Sequence, residues 1–157
     1  PLIHGGESTS IYRSGTPTVA LASSLACALD LAVIDLPGHV DHVAKLNAEL
    51  RAALSTYPLV HINSPEHAIP HVLNLSVRNV KGTVFQRELD AKGVCVSVKS
   101  ACSSDGLPSR AVFAVSRDRR NALSSWRISL SHLTTEDEIK AFLQAFDVCY
   151  RELTAVH

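Results

Sequence analysis

Ser124-Ser125-Trp126-Arg127-Ile128-Ser129-Leu130-Ser131 alternates large apolar side chains with hydroxyl-bearing or charged ones. Successive side chains of a strand point to opposite faces, so this period of two predicts a half-buried β-strand. Trp126, Ile128 and Leu130 face a core; Ser125, Arg127 and Ser129 face away from it. Arg127 is therefore displayed among hydroxyls rather than beneath apolar groups. A guanidinium in that setting is a natural fork for a carboxylate. The plainer reading of Arg127 on its own is a surface arginine bridging to a local acid.

Moving outward, residues 71–78 repeat the pattern, with Leu73, Leu75 and Val77 on one side and Asn74 and Ser76 on the other. Residues 59–62 predict a shorter strand ended by Asn63-Ser64-Pro65. Val94, Val96 and Val98 alternate with Cys95, Ser97 and Lys99 and predict another. Helices fall between and around these strands. Residues 79–90 carry Val84, Phe85 and Leu89, and Gly93 is placed to terminate that helix in a left-handed conformation. Pro108 reads as the first turn of a helix that fades into a charged loop over residues 116–121. Thr135 with Glu138 matches a capping box, followed by a stripe of Ile139, Phe142, Leu143, Phe146, Tyr150 and Leu153. These aromatics read as core, not as a cofactor box.

Near the start, Thr16 before Pro17 predicts a cap and a helix to about Asp35. Val19, Leu21, Leu25, Leu29 and Val33 with intervening alanines make it apolar nearly all round. Such a helix is expected to be buried, here against another domain or subunit. Pro37-Gly38 breaks the chain. Residues 39–55 then predict an amphipathic helix with Val40, Val43, Leu46, Leu50 and Leu54 inward and Asp41, Lys45, Glu49 and Arg51 toward water. His39 and His42, three apart, are a possible metal pair. With no third ligand in view they read as solvated surface histidines, and no metal site is expected. The fold class is α+β, a small, largely antiparallel sheet with helices on one face, preceded by a long buried helix.

A chain of 157 residues is enough for one domain with a real core. A formal charge of zero argues against a nucleic-acid surface, and no apolar run reaches membrane length. No signal-peptide pattern is present. The four cysteines show no CxxC pair and no metal-finger spacing, which points to a reducing cytoplasm. Cys27, Cys95 and Cys149 sit in apolar stretches and read as inert core residues. Cys102 differs. It lies in the small, polar segment Ser97-Val98-Lys99-Ser100-Ala101-Cys102-Ser103-Ser104-Asp105-Gly106-Leu107-Pro108-Ser109, between a strand and a helix. A mobile, reachable thiol there suits nucleophilic chemistry, because the thiolate is the nucleophile. The chain contains no methionine and begins at Pro1, as expected of a processed chain or a part of a longer one.

Three separated segments fit one family. They are His4-Gly5-Gly6 with Arg13-Ser14-Gly15-Thr16; Val72-Leu73-Asn74-Leu75-Ser76 with Ser100-Ala101-Cys102-Ser103-Ser104 and Pro108-Ser109; and Ser124 to Leu130 running into Thr134-Thr135-Glu136-Asp137-Glu138-Ile139. In these the chain resembles the C-terminal part of a pyridoxal-phosphate-dependent cysteine desulfurase of the NifS/IscS type, within class V aminotransferases. The resemblance implies the small domain of an aspartate aminotransferase-like fold. Residues 1–16 would end the cofactor-binding region, and residues 17–157 would form the small domain with its connecting helix.

It further implies that L-cysteine is the substrate, that Cys102 becomes a persulfide, and that L-alanine leaves. The sulfur would pass to an acceptor protein, an iron–sulfur scaffold or a tRNA-thiolation protein. Arg127 would bind the substrate carboxylate, and Thr16 would contact the cofactor phosphate of the neighbouring subunit in a homodimer. The family's Schiff-base lysine belongs to a histidine–lysine pair upstream of the His-Gly-Gly segment. Lys45, Lys81, Lys92, Lys99 and Lys140 stand in other settings. Pyridoxal phosphate is thus not expected to be covalently bound to this chain, and the chain alone is expected to be inactive. Lys99 replaces a frequent glycine, Ser131 a usual one, and Glu7-Ser8-Thr9-Ser10 a more regular run. Two other readings stand beside this one: a stand-alone persulfide carrier, and another class V member such as a selenocysteine lyase or an aminotransferase, the last of which would not need Cys102.

Overall fold

Alternation in the sequence becomes a three-stranded antiparallel sheet in the computed structural model, which describes residues 3–5, 12–98 and 107–155. The strands are β1 (Val60–Ile62), β2 (Val72–Val77) and β3 (Ser125–Ser129), in the order β1-β2-β3. The register sets Leu73 opposite Ile128 and Leu75 opposite Trp126. All four are buried on one face. Asn74 opposite Arg127 and Ser76 opposite Ser125 then necessarily share the other face.

Among the described residues six helices accompany the sheet: α1 (Val19–Val33), α2 (Leu36–Leu54), α3 (Gly82–Asp90), α4 (Arg110–Ser116), α5 (Arg119–Ser124) and α6 (Glu136–Thr154). The chain divides into two compact units, residues 1–36 and 37–157. In the second unit, α2 (Val43, Leu46, Leu50, Leu54), α3 (Phe85, Leu89) and α6 (Ile139, Phe142, Phe146, Cys149) cover the apolar face. Phe146 is the hub of that core, with its ring 5.0 Å from Tyr57, 5.2 Å from Phe85 and 5.9 Å from both Phe142 and Tyr150. The predicted aromatic stripe is core. Trp126 stacks on Phe85 at 5.2 Å, and its buried indole N–H has no partner among the described residues.

Local signals held where they depend on neighbours in sequence. Thr135 and Glu138 form the capping box of α6. Gly93 takes φ 79°, and Val94 N–H bonds to the Leu89 carbonyl while Gly93 N–H bonds to that of Asp90, a Schellman closure of α3.

Several boundaries moved, each for a reason. The cap of α1 is Thr18, not Thr16. Val19 N–H bonds to the Pro17 carbonyl in a tight turn before the helix begins. The break before α2 precedes Pro37 and Gly38, which lie inside its first turn. A proline ring clashes with the carbonyl four residues back, here Val33, the last residue of α1. Asn79 sits at φ 67°, so α3 starts only at Gly82. Pro108 lies outside α4, whose cap is Ser109.

Residues 94–98 are not a strand. Only Ser97 bridges to Arg127, and the Val96 carbonyl accepts from the Gln86 side chain instead of a neighbouring strand. The loop expected over residues 116–121 contains the start of α5, capped by Asp118 Oδ1 on the N–H groups of Arg120 and Asn121.

No residue of α1 is buried within its own unit, Leu25 being 71% exposed; the cover expected for it was another domain or subunit. One expectation about burial was wrong. Of the three cysteines read as core, Cys149 alone is buried, while Cys27 and Cys95 are exposed. Burial pushes the Cys149 thiol pKa up, which keeps it protonated and inert. The two histidines also have partners: His39 stacks on His132 at 4.3 Å, and His42 Nε2 lies 2.7 Å from the Thr134 carbonyl oxygen. Arg51, expected to face water, clamps the loop before β2. It donates to Asn47 Oδ1 at 2.7 Å and to the carbonyls of Ser64 and Pro65 at 3.0 and 3.1 Å.

Two outcomes follow from this packing. A Cβ at Gly82 would stand 2.5 Å from the Ser125 backbone oxygen, so α3 approaches β3 only through glycine. Gly82→Ala is expected to destabilise the chain by about 1–3 kcal/mol, read as a lower urea midpoint. Burial, followed by its hydrogen bond to Asp147 Oδ1, raises the Tyr57 pKa. A raised folded-state pKa gives stability that is complete below the unfolded value of about 10 and lost as pH climbs through the folded one. Urea midpoints at pH 8 and pH 11 should therefore fall less in Tyr57→Phe than in the parent chain.

Candidate functional site

The polar face of the sheet is built by β2 and β3 together. Arg127 lies mid-strand, with Asn74 opposite on β2 and Ser97 bridged on its other side. Arg127 N–H donates to the Ser97 carbonyl at 2.6 Å, and Ser97 N–H returns to Arg127 at 3.1 Å. This pins the backbone and leaves the side chain exposed. Among the described residues no acid, carbonyl or amide pairs with its guanidinium. Lys92, Lys140, Arg87 and Arg151, by contrast, each hold a carboxylate. Among the described residues, then, Arg127 bridges to no local acid. Arg127 faces an open cleft whose described lining includes Asn63, Asn74, Ser97, Ser109 and Arg110.

The floor of that cleft is a chain of amides. Asn121 Nδ2 donates to Asn63 Oδ1 at 2.7 Å, and Asn63 Nδ2 donates to Asn74 Oδ1 at 2.9 Å and Ser76 Oγ at 2.8 Å. Ser76 Oγ donates in turn to the Asn121 carbonyl. Because these groups satisfy one another, they hold the polar face in place without consuming Arg127. Sequence reading saw Asn63 only as the end of a strand and Asn121 only as part of a loop. Their one early signal was the run of polar positions on β2 that they serve.

Cys102 lies outside the described residues. The residues that flank its segment, Val98 and Ser109, both line the Arg127 cleft. Ser109 is fixed there by its N–H bond to the Ala122 carbonyl and by capping α4.

Thr16 belongs to the other unit. It is exposed, with no hydrogen-bond partner among the described residues, and follows Gly15 at φ 102°, a conformation that favours glycine. The two predicted halves of this segment do meet. Ser14 N–H bonds to the Ile3 carbonyl, and a Cβ on Gly5 would fall 2.7 Å from Ser14 Oγ.

An exposed hydroxyl at Thr16 and an unpaired guanidinium at Arg127 are donors suited to anionic groups, and so fit the phosphate and carboxylate ends of a pyridoxal-phosphate chemistry. No lysine is among the described residues lining the cleft. Among the described residues no group of three histidine, cysteine or acidic side chains is arranged for a metal. No single described helix is long and apolar enough to cross a membrane.

Comparison with known proteins agrees with this geometry. The family described as aminotransferase class-V matches residues 4–142. A cysteine desulfurase IscS of Dictyoglomus turgidum is 30% identical over 99% of this chain and 40% of its own length. An IscS-like cysteine desulfurase of Mycobacterium tuberculosis is 32% identical over 92% of this chain and 38% of its own. Among solved structures, a NifS-like protein superposes with a TM-score of 0.80 at 31% identity, covering 99% of this chain and 39% of that one. A NifS-like protein from Rickettsia africae gives 0.79 at 29%, covering 96% and 39%. The chain thus spans about two-fifths of the length of the relatives it matches. A match over most of its residues and a shared fold place the chain in the class-V aminotransferase family.

Proposed function

We propose that this chain is the small-domain part of a cysteine desulfurase that takes sulfur from L-cysteine and leaves L-alanine. The observation that carries the reading is the Arg127 guanidinium, unpaired among the described residues, over a hydrogen-bonded amide floor. A planar fork held at its backbone on both sides, with no acid beside it among the described residues, binds an α-carboxylate bidentately and orients the rest of the substrate.

Cys102 is the nucleophile of this reading. Its thiolate attacks the substrate sulfur; the S–S bond forms as the C–S bond breaks, and the departing pair stays on carbon, which takes a proton to give alanine. Pyridoxal phosphate, when bound, supplies the electron sink for that carbon. Thr16 would donate to its phosphate in the neighbouring subunit of a homodimer, and the Schiff-base lysine would come from outside this chain, which is inactive alone. The persulfide then passes to an acceptor protein. A reducing cytoplasm suits the exposed thiols of Cys27 and Cys95.

The test uses the full-length protein that carries this chain, given pyridoxal phosphate, L-cysteine and a reductant. Wild type should form alanine and sulfide in step, and Cys102→Ser neither. Arg127→Gln should raise KM roughly 10- to 100-fold, the loss of a charge-assisted pair. Retained turnover in Cys102→Ser would sink the nucleophile assignment, and an unchanged KM in Arg127→Gln the carboxylate fork.

A further inference from the structure

A second pocket, of about 250 Å³, opens on the same polar face beyond the amide floor. Arg127 is paired with Asn74. Arg78 follows four residues later, about 13 Å along at the rise of a β-strand. The described lining includes His61, Arg78, Asn79, Asp118, Arg120 and Ser124, all within the second unit.

Three features of this lining are unusual together. First, Arg78 and Arg120 are exposed, and neither guanidinium has an ion pair or hydrogen bond among the described residues. Second, the aspartate in the lining is already engaged. Asp118 Oδ1 accepts from the N–H groups of Arg120 at 2.8 Å and Asn121 at 3.1 Å, so its charge is turned to the start of α5 rather than to either arginine. Third, Ser124 lines the same pocket, and its hydroxyl has no hydrogen-bond partner among the described residues. A hydroxyl that opens on the pocket can donate a hydrogen bond to a ligand there.

The chemistry of these donors selects a ligand class. Each guanidinium offers five N–H donors in a fixed fork and no acceptor. Two guanidinium charges exceed the single negative charge of one carboxylate. A phosphoryl group, with three terminal oxygens and close to two negative charges, matches them. Two arginines against one capped aspartate leave the lining positive, and His61 adds a further ring nitrogen. A pocket of about 250 Å³ holds one small molecule rather than a run of backbone phosphates, so the fit is to a small molecule. We propose that this pocket binds the phosphoryl group of a small phosphorylated metabolite, with Arg78 and Arg120 as forks and Ser124 as a donor from the pocket wall.

The test titrates the full-length protein that carries this chain, loaded with pyridoxal phosphate, with inorganic phosphate, glycerol phosphate, acetate and a short single-stranded oligonucleotide, following backbone amides by NMR. Inorganic phosphate should produce saturable shifts at Asn79, Asn121 and Ser124, and glycerol phosphate should bind at least as tightly. Acetate should bind more weakly. Arg78→Gln and Arg120→Gln should each weaken phosphate binding by about tenfold or more. Both side chains are exposed and unpaired, so the remaining amide spectrum should be unchanged in these variants. The assignment is overturned by non-saturating shifts, by variants that bind like the parent, or by acetate binding as tightly as phosphate. An oligonucleotide that binds more tightly than the monoester would overturn the small-molecule source.

Discussion

The antiparallel register between β2 and β3 is the constraint from which the rest of the second unit follows. Pairing Leu75 with Trp126 and Leu73 with Ile128 places those side chains under α2, α3 and α6. A slip of one residue would turn Trp126 toward water and bury Arg127 without a counter-charge. The first loses the transfer energy of the largest side chain in the core; the second costs several kcal/mol for an uncompensated ion. The apolar face therefore determines where the polar face points. The candidate site is a consequence of how the core is satisfied.

That polar face is orderly because its amides close on one another. Asn63, Asn74, Asn121 and Ser76 are bonded to one another, and no charged side chain takes part in that network. Among the described residues Arg127 stays unpaired opposite Asn74 in mid-strand, and Arg78 and Arg120 stay unpaired beyond the C-terminal end of β2. The same unit pairs four other basic residues with acids. Cationic side chains left unpaired beside a satisfied floor are what anion recognition requires, because a guanidinium already bound to a carboxylate must break that bond to accept a ligand.

Reading the sequence succeeded where a few adjacent residues settle the matter. Gly93 as a left-handed terminator, Thr135 and Glu138 as a reciprocal cap, and the inward stripe of α6 each depend on contacts within one turn or one helix face. It failed where the deciding partner is remote. Residues 94–98 have the alternation of a strand, but a strand needs a ladder, and Gln86 takes the Val96 carbonyl that a ladder would use. Arg51 had the spacing of a solvated helix position until the Asn63–Pro70 loop came within reach of its guanidinium. Apolar surroundings in sequence wrongly suggested burial for Cys27 and Cys95, because local hydropathy says nothing about what covers a side chain.

The sequence by itself determined the class of the fold, the face on which Arg127 is displayed and the family to which the chain belongs, since periodicity and motif spacing are properties of the chain read in order. The tertiary structure decided which polar groups remain free. Whether Arg127, Arg78 and Arg120 meet an acid, and whether the Ser124 hydroxyl meets an acceptor, depends on side chains brought together from β1, β2, α4, α5 and β3. Hydrogen-bond satisfaction is a sum over neighbours in space, and that sum exists only once the register has placed them.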